Sequence, residues 1–285
     1  MNTPREKPSI EIHDHWVSHA QGRIFARRWN PAGMSSTHPS PIVLFHDSLG
    51  CVELWRDLPA ALCRATGRPV IAYDRLGFGR SDARSPRPPL DFVAQEAHDY
   101  FPVLREQLGV EHFIALGHSV GGGMAIHCAA EWADACDALV TVAAQVFAEE
   151  RTLEGIRLAR EQFQDPQQIE RLARYHGSKA PWVLDAWIGT WLDPGFAPWT
   201  LTGVLPRVAC PVLAVHGELD EYGSQRHPQL IGELAQGPAR VEVLPGMAHV
   251  PYREQPERVT ALIAGFLATL PAKQPPFPEL RGRMR

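Results

Sequence analysis

Residues 113–130 read FIALGHSVGGGMAIHCAA: an apolar run of strand length, a glycine-rich turn, and an apolar segment of helical character. The turn from Gly117 to Gly121 matches the pattern G-x-S-x-G in a strand–turn–helix setting, with Ser119 at its centre. Side chains at the two glycines would collide with the tight strand–helix packing, and the sharp turn projects the serine hydroxyl. A glycine-rich phosphate-binding turn is the alternative. The stretch favours a nucleophilic Ser119 at the edge of a sheet.

Apolar runs of strand length alternate with segments of helical period along the chain. We expect strands at 42–45, 70–73, 113–116, 139–143, 212–215 and 240–244, and helices near 54–65, 92–108, 120–132, 225–235 and 256–270. Short apolar strands separated by helices are typical of a parallel sheet covered on both faces. Two earlier runs, 10–17 and 23–29, predict an antiparallel hairpin at the start. The predicted fold class is α/β, a mostly parallel sheet with helices on both faces.

The alternation stops between the predicted sixth and seventh strands. Residues 145–207 contain no strand-like run, and the segments 152–164, 167–175 and 181–192 have helical periodicity. We therefore expect a helical insertion here, and a core domain made of residues 1–144 and 208–271. The Pro-rich tail, 272–285, has no periodicity, and we expect it to lie on the surface or to be mobile.

A serine hydroxyl becomes a strong nucleophile only when an adjacent base accepts its proton, a role that suits histidine. Of 13 histidines, His249 stands out because it lies in a loop between the last predicted strand and the last helix. Its loop lies at the carboxyl edge of the sheet, where Ser119 also lies. A carboxylate must then hold the second ring nitrogen. Asp220, Glu218 and Glu221 follow the seventh strand and are the candidates; Asp220 completes the chain order Ser, Asp, His.

Acyl transfer also needs hydrogen-bond donors for the oxygen that becomes negative, usually two backbone N–H groups. One donor should be Val120, the residue after the serine. The second should lie in loop 46–50, which follows the first parallel strand. Within that loop, the N–H of Ser48 is our candidate.

Five motifs of this chain together resemble those of the α/β-hydrolase fold family. They are the loop 46–50 (HDSLG), the turn 74–81 (DRLGFGRS), the turn 117–121 (GHSVG), the loop 216–220 (HGELD) and the loop 246–249 (GMAH). The resemblance aligns Asp220 with the acidic residue of the family, and so implies a catalytic triad of Ser119, Asp220 and His249. It also implies that residues 145–207 form a helical cap over the site, between the sixth and seventh strands.

One position departs from the pattern of the family. The glycine that usually follows His46 is Asp47 in this chain. Aspartate tolerates a positive φ better than most residues, but its charge would oppose an oxyanion if the carboxylate pointed inward. Cys51 follows the same loop; we expect the cysteines to be buried reduced thiols, and reactivity of the Cys51 thiol is the alternative.

The resemblance implies a serine hydrolase that cleaves small to medium apolar carboxylic esters through an acyl-enzyme intermediate, without metal or organic cofactor. The alternatives on the same scaffold are a carbon–carbon bond hydrolase of ring-cleavage products, a lactonase, a thioesterase and a cofactor-free perhydrolase. The non-enzymatic alternative is a receptor-like protein that binds a small ligand. An intact Ser119, Asp220 and His249 argue against it.

The expected cap contains four tryptophans, Trp182, Trp187, Trp191 and Trp199. We expect Trp187 and Trp191 to bind substrate. Packing of the cap onto the sheet domain is the other explanation, because the apolar face of a helix usually serves its own core.

Charge and composition limit the classes of partner. The chain has 32 acidic and 28 basic residues, a formal net charge of −4, and no long run of one sign, which argues against nucleic-acid binding. Its apolar runs fall far short of the ~20 residues that cross a membrane, and its first residues do not resemble a secretory signal. We expect a cytoplasmic protein whose partner is a small apolar substrate. Five scattered cysteines argue against a disulfide framework or a thiolate metal site.

Overall fold

The computed structural model describes residues 9–33 and 39–270. One sheet contains the strands β1 (Ile10–His19), β2 (Gly22–Pro31), β3 (Ile42–Phe45), β4 (Val70–Tyr73), β5 (Phe113–His118), β6 (Cys136–Val142), β7 (Val212–Gly217) and β8 (Ala239–Leu244). Their order across the sheet is β1-β2-β4-β3-β5-β6-β7-β8. The pairs β1–β2 and β2–β4 are antiparallel, and all other neighbours are parallel. The predicted entry hairpin and mostly parallel sheet are confirmed.

In the described residues, the α-helices are α1 (Leu58–Thr66), α2 (Phe92–Gln95), α3 (Phe101–Gln107), α4 (Val120–Glu131), α5 (Glu150–Gln162), α6 (Pro166–His176), α7 (Ala180–Trp191), α8 (Arg226–Leu234), α9 (Pro251–Glu254) and α10 (Pro256–Ala268). The helix expected over 92–108 is interrupted by a π-helix, Glu96–Tyr100, between α2 and α3. The helix expected near 54–65 begins only at Leu58. The reason is that Arg56, with a φ of 52°, ends a separate 3-10 turn over Val52–Trp55.

Alternate residues of the strands β3 to β7 pack into different cores on the two faces of the sheet. In β3, Ile42 and Leu44 belong to the core that includes α1 and α10, whereas Val43 and Phe45 belong to the core that includes α3 and α4. All four side chains are buried. Because helices cover both faces, the strands are apolar on both sides, which explains the continuous apolar runs of the sequence.

Helices α5 to α7 lie between β6 and β7, where the sequence predicts an insertion; we refer to these three helices as the helical insertion. The chain enters and leaves this region at one place. Phe147 forms an isolated antiparallel bridge with Thr200, and the N–H of Leu201 donates to the carbonyl oxygen of Val146 at 2.7 Å. The exact division at 145 and 207 stays a prediction, and the expected tail, 272–285, lies outside the described residues.

The first turn of α4 lies very close to the end of β3. A Cβ atom at Gly121 would lie 2.1 Å from the carbonyl oxygen of Phe45, and one at Gly117 would lie 2.1 Å from the carbonyl oxygen of Gly121. These distances are far below van der Waals contact, and the neighbouring atoms belong to the main chain. Glycine is therefore the residue that permits this packing, as the G-x-S-x-G pattern predicts.

Replacing Gly121 by alanine should push α4 away from β3 and destabilise the fold. We expect Gly121→Ala to lower the free energy of unfolding by ~2 kcal/mol or more, in the range of overpacked cores. Gly265→Ala in α10 is the matched control, because no atom lies within 4 Å of its added Cβ. That helical substitution should be neutral or stabilising by up to ~1 kcal/mol. Denaturant unfolding measures both, and equal stability of the two variants would contradict the packing argument.

Candidate active site

Ser119 stands between β5 and α4 with a φ of 55° and a ψ of −128°. A positive φ is uncommon for residues other than glycine and is strained. Two main-chain hydrogen bonds hold the turn: the N–H of Ser119 donates to Val142 at 2.9 Å, and the N–H of Gly122 donates to Ser119 at 2.8 Å. The packing around the turn therefore maintains a backbone conformation that Ser119 would otherwise avoid.

Asp220 follows β7, and His249 lies between β8 and α9. Nδ1 of His249 is 2.9 Å from both carboxylate oxygens of Asp220. Asp220 is fully buried, and its Oδ1 also accepts from the N–H groups of Tyr222 and Gly223, at 2.8 and 3.1 Å. These bonds fix the carboxylate against the His249 ring.

The two glutamates that the sequence left as alternatives have other partners. Glu218 accepts a hydrogen bond from the N–H of Gly246 at 2.9 Å. Glu221 accepts one from the main-chain N–H of His249 at 3.3 Å. Of the three carboxylates, Asp220 is the one that contacts the His249 ring.

The His249–Asp220 contact shifts the pKa values of both groups. Burial raises the pKa of Asp220, but the hydrogen bond and positive charge of His249 outweigh burial, so the pKa is lowered overall. Burial lowers the pKa of His249, but the hydrogen bond and charge of Asp220, helped by the charges of Glu221 and Asp47, raise it overall. The pair is therefore arranged to stabilise an imidazolium.

Ser119 and His249 line the same pocket, which has a volume of about 150 Å³. The other lining residues are Asp47, Ser48, Leu49, Gln145, Thr152, Ile156, Trp187, Trp191 and Tyr222. The Ser119 hydroxyl donates to Oε1 of Gln145 at 3.4 Å. The pocket therefore joins residues that follow five strands, β3, β5, β6, β7 and β8, to residues from the helical insertion.

Two of the four tryptophans of the expected cap reach this pocket. Trp187 and Trp191, the two substrate-binding candidates, line it, and their role in binding stays a prediction. Trp182 instead packs edge-on against Phe78, with ring centroids 5.5 Å apart. Trp199 stacks on Phe196 at 5.2 Å. Trp191 also packs at 5.2 Å against Phe196, so it serves both the pocket wall and the core.

Both candidate oxyanion donors lie beside the pocket. Ser48 lines the pocket and, together with Val120, also lines an adjoining crevice of about 10 Å³. Within the part of the chain that the structure describes, neither N–H donates a hydrogen bond to another residue. Both donors are thus available to a ligand oxygen.

The Asp47 carboxylate is held by its neighbours. Its Oδ2 is 3.1 Å from Nδ1 of His118, and its Oδ1 accepts from the N–H of Leu49 at 3.0 Å. Burial raises the pKa of Asp47, but the hydrogen bond and charge of His118 outweigh burial and lower the pKa overall. The ring of His118 donates from Nε2 to the carbonyl oxygen of His249 at 2.9 Å. Asp47 thereby supports the main chain of His249 through His118.

Cys51 is not a reactive group in this arrangement. Its side chain is buried, and burial together with the negative charge of Asp74 raises the pKa of the Cys51 thiol to about 12. A thiol that stays protonated is a poor nucleophile.

Sequence reasoning missed several residues of the site. Gln145 comes three residues after β6 ends, and that position at the carboxyl edge of the sheet could have identified it. Tyr222, two residues after Asp220, could have been found in the same way. Thr152 and Ile156 gave no such signal, because only packing shows which turn of α5 faces the pocket.

Residues 9–33 and 39–270 contain no group of three or more His, Cys, Asp or Glu side chains that could hold a metal ion. In the same residues, no helix has both the length and the apolar character needed to span a membrane.

A family model of the alpha/beta hydrolase fold matches residues 40–256. The chain belongs to the alpha/beta hydrolase fold family. It is 40% identical over 93 residues to the 1-acylglycerol-3-phosphate O-acyltransferase ABHD5 of Homo sapiens, a match that covers 31% of this chain and 25% of that protein. It is 31% identical over 91 residues to the proline iminopeptidase of Lactobacillus delbrueckii subsp. lactis, covering 32% of this chain and 31% of that protein.

A solved structure extends the likeness to almost the whole fold of this alpha/beta hydrolase family member. The proline iminopeptidase of Mycobacterium smegmatis superimposes with a TM-score of 0.69 and 22% identity, over 90% of this chain and 98% of that one. At this identity the likeness concerns the fold alone. The curated relatives share only about a third of this chain, so their activities are not transferred to it.

The raised pKa of His249 can be measured without any substrate. We expect an NMR titration to place the His249 pKa above its ordinary value of about 6.5. In Asp220→Asn the main opposing charge is lost, so burial should dominate and the pKa should fall below that value. Glu218→Gln is the control, because Glu218 does not contact the ring, and it should titrate like the parent. Identical titrations of the parent and Asp220→Asn would contradict this account of the pair.

Proposed function

We propose that the protein is a serine hydrolase that cleaves small to medium apolar carboxylic esters through an acyl-enzyme intermediate. The observation that supports this most is the buried His249–Asp220 hydrogen bond beside a pocket that Ser119 also lines. A serine and a histidine that line one pocket, with a carboxylate on the histidine ring, are the parts of nucleophilic acyl transfer.

In the proposed first step, Oγ of Ser119 attacks the ester carbonyl carbon while Nε2 of His249 accepts the hydroxyl proton. Asp220 stabilises the imidazolium, consistent with the raised pKa of His249. The N–H groups of Ser48 and Val120 stabilise the oxyanion of the tetrahedral intermediate. The C–O bond then breaks, and His249 returns the proton to the leaving alcohol. Water, activated by the same histidine, releases the acid and restores Ser119.

The volume and the lining of the pocket limit the size and the polarity of the substrate. Its volume of about 150 Å³ lies below the ~300 Å³ at which ordinary ligand pockets begin. Its insertion-side wall consists of Thr152, Ile156, Trp187 and Trp191, and the three apolar side chains suit an uncharged apolar group. These features favour the small end of the proposed ester range.

A peptidase is the second candidate, because proline iminopeptidases are among the relatives. An enzyme that binds a free N-terminal amine needs a carboxylate to receive its charge. Asp47 is the carboxylate in the pocket wall, but both of its oxygens already have protein partners, His118 and Leu49. The structure therefore favours an ester substrate over a peptide with a free N-terminal amine.

A substrate panel combined with Ser119→Ala tests the proposal. The panel contains short aryl esters, lactones, thioesters, vinylogous diketones and a prolyl arylamide, and we expect the highest kcat/KM for short aryl esters. A fluorophosphonate probe should label Ser119 in the parent. Ser119→Ala should abolish labelling and lower turnover by several orders of magnitude, because the nucleophile is lost.

Unchanged thermal unfolding of Ser119→Ala is the necessary control. Labelling of that variant at the parent rate would refute the nucleophile assignment. A panel in which diketones, lactones, thioesters or prolyl arylamide lead would reassign the substrate class while keeping the triad. Labelling without turnover of any substrate would favour the receptor-like alternative.

The tryptophans of α7 provide a test of the pocket wall. Trp187→Ala should change kcat/KM unequally for short and long esters, because a wall discriminates substrates by contact area. We expect a shift of about three- to tenfold in the ratio of long to short esters. Trp182→Ala is the matched control: its side chain is also half-buried on α7, but it packs on Phe78. Trp182→Ala should lower the melting temperature and leave the ratio of kcat/KM for long and short esters unchanged. The same outcome for Trp187→Ala would show that Trp187 only packs the fold.

A further inference from the structure

The carbonyl oxygen of the peptide group between Asp47 and Ser48 accepts three hydrogen bonds. It accepts from Nδ1 of His46 and from Nη2 of Arg75, each at 2.8 Å. The N–H of Gly50 donates to the same oxygen at 3.2 Å. Three donors fix the plane of this peptide and leave it little freedom to rotate.

The opposite edge of the same peptide is the Ser48 N–H. In a trans peptide the N–H points away from the carbonyl, so the three bonds on the oxygen also set the direction of this donor. Ser48 lines the crevice of about 10 Å³ together with Val120 and Arg75. That volume is close to the space needed by one water molecule, and thus fits a single oxygen atom.

Arg75 is held in place from several sides. Its main-chain N–H and its Nε donate to Nε2 of His46, at 3.1 and 3.3 Å. Because Nε2 of His46 accepts these bonds, the ring proton is on Nδ1, which is the atom that donates to Asp47. The guanidinium also lies 4.2 Å from the centre of the Phe78 ring. One buried cation therefore orders both the histidine and the peptide.

The surroundings of this cation are not those of a structural ion pair. Arg75 is 7% exposed, yet among the described residues no carboxylate oxygen lies within 4.0 Å of its guanidinium. Burial lowers the pKa of Arg75, and the charges of Glu96 and Asp47, which act from farther away, offset that only in part, so the burial of this cation is unfavourable for stability. Its hydrogen bonds instead concentrate on the groups that orient Ser48.

We propose that Arg75 is a positioning residue that orients and polarises the Asp47–Ser48 peptide, so that the Ser48 N–H is a strong oxyanion donor. This inference rests on the proposed serine hydrolase function. A charge-assisted bond to the carbonyl oxygen withdraws electron density from the amide and strengthens its N–H as a donor. Because the peptide is already fixed, little reorganisation accompanies the appearance of negative charge.

Arg75→Met and Arg75→Lys, assayed on the best aryl ester, test the proposal. Removing an oxyanion donor outright costs ~10²–10³ in kcat, so loss of its orientation in Arg75→Met should lower kcat by about 10- to 100-fold, with KM within about threefold. Arg75→Lys should be intermediate, with kcat at least about threefold below the parent, since an ammonium lacks the fork that reaches both His46 and Asp47. Arg80→Met is the control: Arg80 lies in the same turn but pairs with Asp14 at 2.9 Å, and kcat should not change.

A trifluoromethyl ketone inhibitor, which forms an anionic adduct with the serine, separates positioning from general support of the fold. Its Ki should rise in each Arg75 variant by about the factor by which kcat/KM falls. An unchanged kcat in Arg75→Met overturns the inference, and if Arg75→Met does not fold, an unchanged kcat in Arg75→Lys does so instead. A lowered melting temperature of the Arg75 variant with an unchanged Ki also overturns it.

If Ser119→Ala keeps full activity, the proposed function itself fails. If Ser119→Ala is inactive and Arg75→Met is fully active, only the role of Arg75 fails.

Discussion

The first turn of α4 packs directly on the carbonyl group of Phe45, the last residue of β3, with Gly121 at the point of contact. This approach forces Ser119 into its positive φ and places it beside the chain that leaves β3, which is the loop carrying Ser48. Gly122, one residue along, packs similarly against Ala144 near the end of β6, where an added Cβ would lie 2.4 Å from the alanine Cβ. A single close-packed turn therefore assembles the serine, the loop after β3 and the chain after β6 at one edge of the sheet.

The helical insertion supports the site as well as forming part of its wall. From α5, Nη1 of Arg151 donates to the carbonyl oxygen of Asp220 at 3.1 Å, and the Thr152 hydroxyl donates to that of Tyr222 at 2.6 Å. From α6, Nε2 of His176 donates to the carbonyl oxygen of Leu49 at 3.0 Å. Burial lowers the pKa of His176 to about 4, so the ring stays neutral and its Nδ1 accepts from the N–H of Gly79 at 2.9 Å. The insertion thus restrains both the loop that carries Asp220 and the loop that carries Ser48.

The sequence indicates those parts of the site that follow from local sterics and from strand order. Gly117 and Gly121 leave no choice of residue, and the ends of parallel strands meet at one edge, so the positions of Ser119, Asp220 and His249 were predictable. The contacts of Asp47 and Arg75 were not, because they depend on the direction in which a side chain leaves an irregular loop. The different surroundings of Trp182 and Trp187 were not predictable either. Both lie on α7, but the position of each side chain around the helix decides whether it faces Phe78 or the pocket.

Two carboxylates act on His249 by different routes. Asp220 binds the ring itself, whereas Asp47 binds His118, which in turn holds the main chain of His249. Both negative charges raise the pKa of His249. In the proposed reaction the ester is neutral but the acid that leaves is an anion, and only Asp47 of this pair lines the pocket. The oxygens of that carboxylate are already bound to His118 and Leu49, so in the proposed reaction Asp47 acts through its effect on His249. The buried cation of Arg75, which donates to the carbonyl oxygen of the Asp47–Ser48 peptide, offsets the same charge beside the proposed oxyanion site.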